Sequence, residues 1–258
     1  SALPFDERTL TSQDGTVGFR LAEVQISGLD RPGERHGLKY VRTAPGYRLK
    51  YQDFSDTRNE LGRKLVITMA DEPLSLIVRS HLQFYDGVQA VRSWTEVVNS
   101  GGAPRGLEYV SSFALTGVEK EGLLPFDQKL ALYLPHNGWQ KELHWNRYTL
   151  AGLGMSVSQP AETMHTSKYI NISNTGNWST KEYLPMGCLY NQETNSSLYW
   201  QIEHNGSWHW EIADQDGHLY LQLSGPTENQ SHWWKNLKPG ETFTTVPVCV
   251  GSCPGGFD

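Results

Sequence analysis

Cysteine is scarce in this chain, three among 258 residues. An odd number of thiols, Cys188, Cys249 and Cys253, cannot build a disulfide framework across a domain of this size, so they are expected as packed, inert groups in a reducing, cytoplasmic setting. Cys249 and Cys253 are spaced C-x-x-x-C with no second pair and no histidine beside them, which suits zinc poorly, and no metal is expected. Apolar runs are short and broken by Arg, Glu or Lys, far below the ~20 residues that cross a bilayer, so no membrane span is expected. The net charge of −6 is made of interspersed signs. No basic run recurs, and without a phosphate-tracking groove nucleic acid is not an expected partner. G-x-S-x-G, H-E-x-x-H, P-loop and G-x-G-x-x-G motifs are all absent, which removes the commonest hydrolase, metalloprotease and nucleotide readings and leaves no cofactor to expect. The first residues, Ser1 to Asp6, have neither the basic start nor the apolar core of a secretion signal. Five N-x-Ser sequons, at Asn171, Asn177, Asn195, Asn205 and Asn229, would suit a secreted glycoprotein, but a chain this rich in Asn and Ser produces many by chance.

Helical periodicity is missing as well: no window keeps apolar residues at i, i+3, i+4 and i+7 for three turns. What replaces it is β patterning. An edge strand is expected around Thr16 to Ile26, followed by a long loop through Pro32, Gly33, Gly37, Pro45 and Gly46. Strands are then expected over Leu65 to Ala70, Leu74 to Phe84, Ala90 to Val98, Leu107 to Leu115 and Leu130 to Leu134, all rich in β-branched and aromatic residues. Asp86-Gly87 reads as a hairpin turn and Ser100 to Pro104 as a longer one. More than a dozen short strands exceed one small sandwich. The expected class is all-β, a two-sheet antiparallel supersandwich, with residues 1–258 forming a single domain.

The most informative stretch runs from Trp200 to Trp234 and holds five of the nine tryptophans. Alternating runs meet at Asn205-Gly206 and again at Asp216-Gly217, a pattern of tight hairpins. The first hairpin is expected to lift its aromatics to an exposed tip, where the flat apolar face of a sugar ring would cover an indole beside polar Asn and His.

Glycoside hydrolysis needs two carboxyl groups facing one bond. The pairs Asp214 and Asp216, Asp71 and Glu72, and Glu119 and Glu121 sit in turn-like contexts, where acidic side chains ordinarily cap backbone. No catalytic residue is therefore assigned. His204 beside Glu203 is a candidate proton shuttle, although strand neighbours point to opposite faces. His81 is expected in the core or across a strand pair, and His232 in an aromatic cluster. The loop from Tyr51 to Leu61 collects Asp53, Asp56, Arg58 and Asn59, the groups that read sugar hydroxyls; the same residues equally suit an Asp–Arg bridge closing a surface loop.

Several stretches taken together resemble the N-terminal β-supersandwich domain of family 36 glycoside hydrolases, the α-galactosidases. They are Phe84-Tyr-Asp-Gly-Val-Gln-Ala-Val-Arg-Ser-Trp94-Thr-Glu-Val-Val-Asn99, Leu107-Glu-Tyr-Val-Ser-Ser112, Glu203-His-Asn-Gly-Ser-Trp208, Leu221-Gln-Leu-Ser-Gly225, and Trp233-Trp-Lys-Asn-Leu-Lys-Pro-Gly-Glu-Thr-Phe243 running into Val246-Pro-Val248. The resemblance implies a galactose-mutarotase-like architecture and a partner (β/α)₈ barrel, outside this chain, that carries both catalytic aspartates. It also implies a galactoside-type carbohydrate as ligand and a homo-oligomeric parent enzyme. Ser55-Asp56-Thr57-Arg58-Asn59-Glu60 is nearest to the family's sugar-contacting Gly-Asp-(aromatic)-Arg-(His)-Pro loop; Asp56 and Arg58 match, whereas Ser55, Thr57 and Glu60 depart. Substrate-binding residues implied are Asp56, Arg58, Trp208, Asn205 and His204, with Trp208 as an aromatic wall. Two other functions stay open. One is a free-standing carbohydrate-binding module with Trp208, Trp210 and Trp178 as a stacking platform and Asp56 and Arg58 as polar readers. The other is a mutarotase-type epimerase using His204 and Glu211.

Overall fold

The computed structural model describes residues 20–29, 38–41, 43–157, 168–215 and 218–257. Its strands form two antiparallel sheets. The smaller holds, in spatial order, β1 (Val24–Ile26), β6 (Arg105–Thr116), β13 (His218–Ser224), β12 (Trp208–Gln215) and β9 (Tyr169–Asn174), with β14 (Lys235–Leu237) also on β6. The larger holds β2 (Lys50–Asn59), β3 (Gly62–Asp71), β4 (Leu76–Phe84), β5 (Ala90–Asn99), β16 (Val248–Pro254), β11 (Ser196–Ile202), β10 (Met186–Asn191), β7 (Leu130–His136) and β8 (His144–Thr149), with β15 (Thr242–Thr244) added to β5. Three short α-helices, α1 (Ala44–Arg48), α2 (Phe126–Lys129) and α3 (Glu228–Ser231), and a single 3-10 turn, Glu72–Leu74, complete the described elements. The all-β supersandwich read from the sequence is the architecture found.

Alternation explains how the sheets meet. Trp200 and Ile202 of β11, Leu189 of β10 and Val248 and Val250 of β16 face inward from the larger sheet; Trp208, Trp210 and Ile212 of β12 and Leu219, Leu221 and Leu223 of β13 face them from the smaller. The Trp200 and Trp210 rings meet edge to face with centroids 5.2 Å apart, the geometry aromatic quadrupoles favour. A second core joins Val24, Ile26, Met69, Val78, Val97 and Leu107 further along the sandwich.

Three expectations need correction. The stretch from Tyr51 is not loop but the ten-residue strand β2, every residue of which is exposed. It extends beyond the packed core, so no alternation betrayed it. Ile202 and Trp208 do not flank a hairpin: β11 pairs with β10 and β16, whereas β12 pairs with β9 and β13. The residues 203–207 are a corner carrying the chain from one sheet to the other. A two-residue turn at Asn205-Gly206 would set Trp200 opposite Glu211 and Ile202 opposite His209, mixing apolar with polar on each face, and burial resolves the conflict by separating the strands. Likewise β5 and β6, joined through Ser100 to Pro104, lie in different sheets. The Asp86-Gly87 hairpin does form, with Gly87 at φ 77°. Residues 16–19 of the expected edge strand, Pro32, Gly33, Gly37 and the Asp216-Gly217 turn lie outside the described residues; β1 itself is an edge strand.

On the outer side of the larger sheet, His81 stacks on Trp94 at 4.9 Å and 10°, and the Lys64 ammonium lies over the Trp94 ring at 5.4 Å. Burial lowers the His81 pKa from 6.5, against the opposing pull of Glu96.

Gly187 sits opposite Trp200, and a Cβ there would come within 2.3 Å of the indole. Gly187→Ala is expected to cost about 1–3 kcal/mol, the scale of overpacking, as a loss of midpoint in denaturant melts. For His81, the lowered pKa favours the neutral ring in the fold, so its contribution is present above the unfolded pKa and lost as pH falls. The thermal midpoint should drop from about pH 7 to about pH 5, and His81→Phe, which keeps the stack, should flatten that slope.

Candidate functional site

All eight residues of β12 are buried, so its polar residues face a second enclosed layer. His209 and Glu211 point away from the core toward Tyr220 and Gln222 of β13 and Tyr109 of β6, and Lys39, Tyr40 and Val41 cover them. One Glu211 oxygen accepts from the Tyr40 backbone N–H at 3.0 Å and the Tyr220 hydroxyl at 2.8 Å. Its other oxygen lies 3.1 Å from His209 Nε2, and His209 Nδ1 is 2.7 Å from Ser173 Oγ. Tyr40 stacks flat on Tyr109 at 3.8 Å, and Tyr109 donates to Gln222 at 2.8 Å. Lys39 Nζ reaches Asp214 at 2.6 Å. Burial, reinforced by the Glu211 charge, pushes the Tyr109 and Tyr220 hydroxyls well above the ordinary tyrosine range. Burial also lowers Lys39, which Asp214 partly restores.

This network is closed, with Glu211 0% exposed and its oxygens taken by neighbours. The proposed His204 and Glu211 couple is not formed: Glu211 pairs with His209, two residues away on the same strand face. The His-x-Glu spacing was the signal that would have found it. The acidic pairs also separate into structural tasks. Asp71 is buried in a bidentate pair with Arg48 at 2.9 and 2.7 Å. Glu119 accepts from the Leu219 N–H at 2.8 Å and lies 2.7 Å from His218 Nδ1. Asp216 lies outside the described residues.

Asp56 and Arg58 lie on the exposed strand β2. Asp56 takes a bidentate pair from Arg63 at 2.9 and 2.6 Å, and that hydrogen-bonded guanidinium holds its carboxyl below the usual range. Arg58 pairs with Asp86. The Asn59 side chain accepts from the Leu61 and Gly62 N–H groups at 3.0 and 3.1 Å, closing the hairpin tip. Tyr51 and Phe54, 61% and 54% exposed, stand on the same strand.

His204 and Asn205 lie instead in the 203–207 corner. Glu203 holds Arg92 there through contacts of 2.9 and 2.7 Å, burial lowers the His204 pKa, and Asn205 is exposed. The register runs Asp56, Leu65, Leu82, Ser93, Val248, Ile202 across the larger sheet. Five strand spacings are roughly 24 Å at ~4.8 Å each, so Asp56 and Arg58 are not gathered with His204 and Asn205. Trp208 is not at an exposed tip. It is 1% exposed and donates its indole N–H to Ser179 O at 2.7 Å, because the corner ends one residue before it and β12 turns it into the core. Trp210 is equally buried, and neither can wall a pocket from that position.

A cavity of about 760 Å³ opens between the sheets near the start of β11, lined by Val91, Phe113, Leu189, Leu198 and Val250 and rimmed by Asn191 and Ser196. Glu121 is its one lining carboxylate, short of the two that glycoside hydrolysis uses. Among the described residues, no helix is long and apolar enough to cross a membrane.

The fold and these surfaces define an antiparallel supersandwich carrying polar side chains on an exposed hairpin. No family model and no curated protein matches the chain. Solved structures that share its fold include α-galactosidases, among them enzymes of glycoside hydrolase family 36. The enzyme AgaA from Geobacillus stearothermophilus matches at a TM-score of 0.66 and 15% identity, over 92% of this chain and 30% of that one. The galactosidase domain of the α-galactosidase–sucrose kinase AgaSK matches at 0.66 and 17%, over 91% and 30%. The α-galactosidase from Lactobacillus brevis matches at 0.65 and 15%, over 81% and 27%. The chain thus spans about 30% of the length of the structures it resembles. AgaA variants have been solved with stachyose and raffinose.

Its burial makes Trp208 a stability residue. Trp208→Ala should cost about 3–5 kcal/mol of folding free energy, read in denaturant melts; a change within about 0.5 kcal/mol would return it to the surface.

Proposed function

We propose that this chain is the accessory supersandwich domain of an α-galactosidase-type glycoside hydrolase. It works with a separate catalytic (β/α)₈ barrel, contributes a wall of the galactoside pocket and a surface for homo-oligomer assembly, and does not itself cleave glycosidic bonds. The observation that carries this reading is the match of 92% of the chain to only 30% of a family 36 enzyme. The edge strand β2 supports it: Asp56 and Arg58 are exposed on the margin of the larger sheet, where a carboxylate and a guanidinium can meet sugar hydroxyls. Asn205 and His204 would serve a separate contact at the corner. Three unpaired thiols, one of them buried, suit a cytoplasmic enzyme.

The purified 258-residue chain is expected to leave 4-nitrophenyl α-galactoside unhydrolysed. Turnover that a single Asp or Glu substitution abolishes would overturn the reading. In the barrel-containing enzyme, Asp56→Ala should lower kcat/KM by the equivalent of about 1–3 kcal/mol without unfolding the domain.

A further inference from the structure

The connection between β7 and β8 spends conformational energy to hold one indole in water. It spans 137–143, and two of its non-glycine residues, Gln140 and Leu143, have φ of 59° and 56°, the left-handed region that side chains disfavour. Its own groups lock it: the Lys141 N–H donates to Gly138 O at 3.0 Å, the Gln140 N–H to Glu142 Oε1 at 3.0 Å, and the Leu143 N–H to Asn137 Oδ1 at 3.0 Å. What this tip presents is Trp139, 78% exposed.

A second exposed indole lies on the neighbouring loop. The Asn137 N–H donates to Glu182 O at 2.8 Å, and the Asn137 amide to Thr180 O, so the tip is laced to the segment 175–184. That segment is pinned to the corner by the Gly176 N–H on Ser207 Oγ at 3.0 Å and to the core by the Trp208 indole on Ser179 O at 2.7 Å. Between these pins stands Trp178, 48% exposed. Neither indole stacks on another ring or makes a hydrogen bond among the described residues. Water contact of this extent on two fixed indoles is costly without a flat cover. Exposed Lys141, Glu142, His144, Lys181 and Glu182 flank them in the same two segments, with Leu143 the one exposed aliphatic beside them; hydrogen-bonding groups in that majority suit a hydroxylated ring better than an apolar protein face.

We infer that Trp139 and Trp178 form a carbohydrate-binding platform, stacking on the C–H faces of pyranose rings of an oligosaccharide while the flanking side chains bond its hydroxyls. The platform lies outside the expected Asp56 and Arg58 contact and needs no companion barrel, so it stands or falls apart from the function proposed above. It also replaces the platform of Trp208, Trp210 and Trp178 read from the sequence, keeping only Trp178.

The chain is titrated with raffinose, stachyose and cellotriose by calorimetry and by tryptophan fluorescence. Saturable binding with Kd on the order of 1 mM or tighter is expected, weakened at least about tenfold by Trp139→Ala and by Trp178→Ala, with melting midpoints kept. Leu123→Ala, at a side chain 97% exposed and outside the platform, should bind as the unsubstituted chain does. Absence of saturation up to about 50 mM of all three sugars, or binding undiminished in both tryptophan variants, overturns the inference. So does a change of oligomeric state in Trp139→Ala without sugar binding, which would mark the tip as a protein contact.

Discussion

Trp200 and Trp210 face each other from opposite sheets with centroids 5.2 Å apart, and the separation of the sheets follows from that contact. Neither indole N–H has an acceptor among the described residues, a cost of about 1–3 kcal/mol each. Burying roughly 200 Å² per ring returns about 5 kcal/mol at 25 cal/mol per Å², so packing wins. Gly187 is small because Trp200 lies against it. The 203–207 corner exists because the two tryptophans must come from different layers while lying only ten positions apart in sequence. Ser207 and Ser179 then inherit the work of tying that corner to the 175–184 loop.

The smaller sheet faces two kinds of interior. Toward the larger sheet it shows Trp208, Trp210 and Ile212; on its back it shows His209, Glu211, Tyr220 and Gln222, all buried. Buried charge is tolerated there because each group has a partner: Glu211 has three and Asp214 has Lys39. The flat Tyr40 and Tyr109 pair closes the layer. A polar layer of this kind resembles a ligand site in composition, but its hydrogen bonds are already spent within the chain.

Strands backed by apolar alternation were legible in the sequence. Leu65 to Ala70, Ala90 to Val98, Leu107 to Leu115 and Leu130 to Leu134 all fall inside β3, β5, β6 and β7, since each has one face in a core. Strand β2 was not legible, because a strand exposed on all sides leaves no period in its polarity. The corner looks like a hairpin in sequence for the opposite reason: Asn-Gly is a strong turn signal locally, and only the facing of Trp200 against Glu211 tells against it. Of the candidate site, Asp56, Arg58 and Asn205 are exposed as a binding role requires, whereas Trp208 went to the core. Trp139 carried no alternation around it, and its exposure came from the strained tip, which composition does not reveal.

Strand β2 forms one margin of the larger sheet, and among the described residues its outward backbone donors and acceptors have no neighbour in that sheet. Such a margin can recruit further strands without limit, as fibrils do. Along this one, Lys50, Asp53, Asp56 and Arg58 mix charges of both signs with the aromatic Tyr51 and Phe54. An incoming strand of arbitrary sequence would have to desolvate those charges, while one with a matched pattern would not. Charges of both signs along this margin therefore oppose runaway polymerisation.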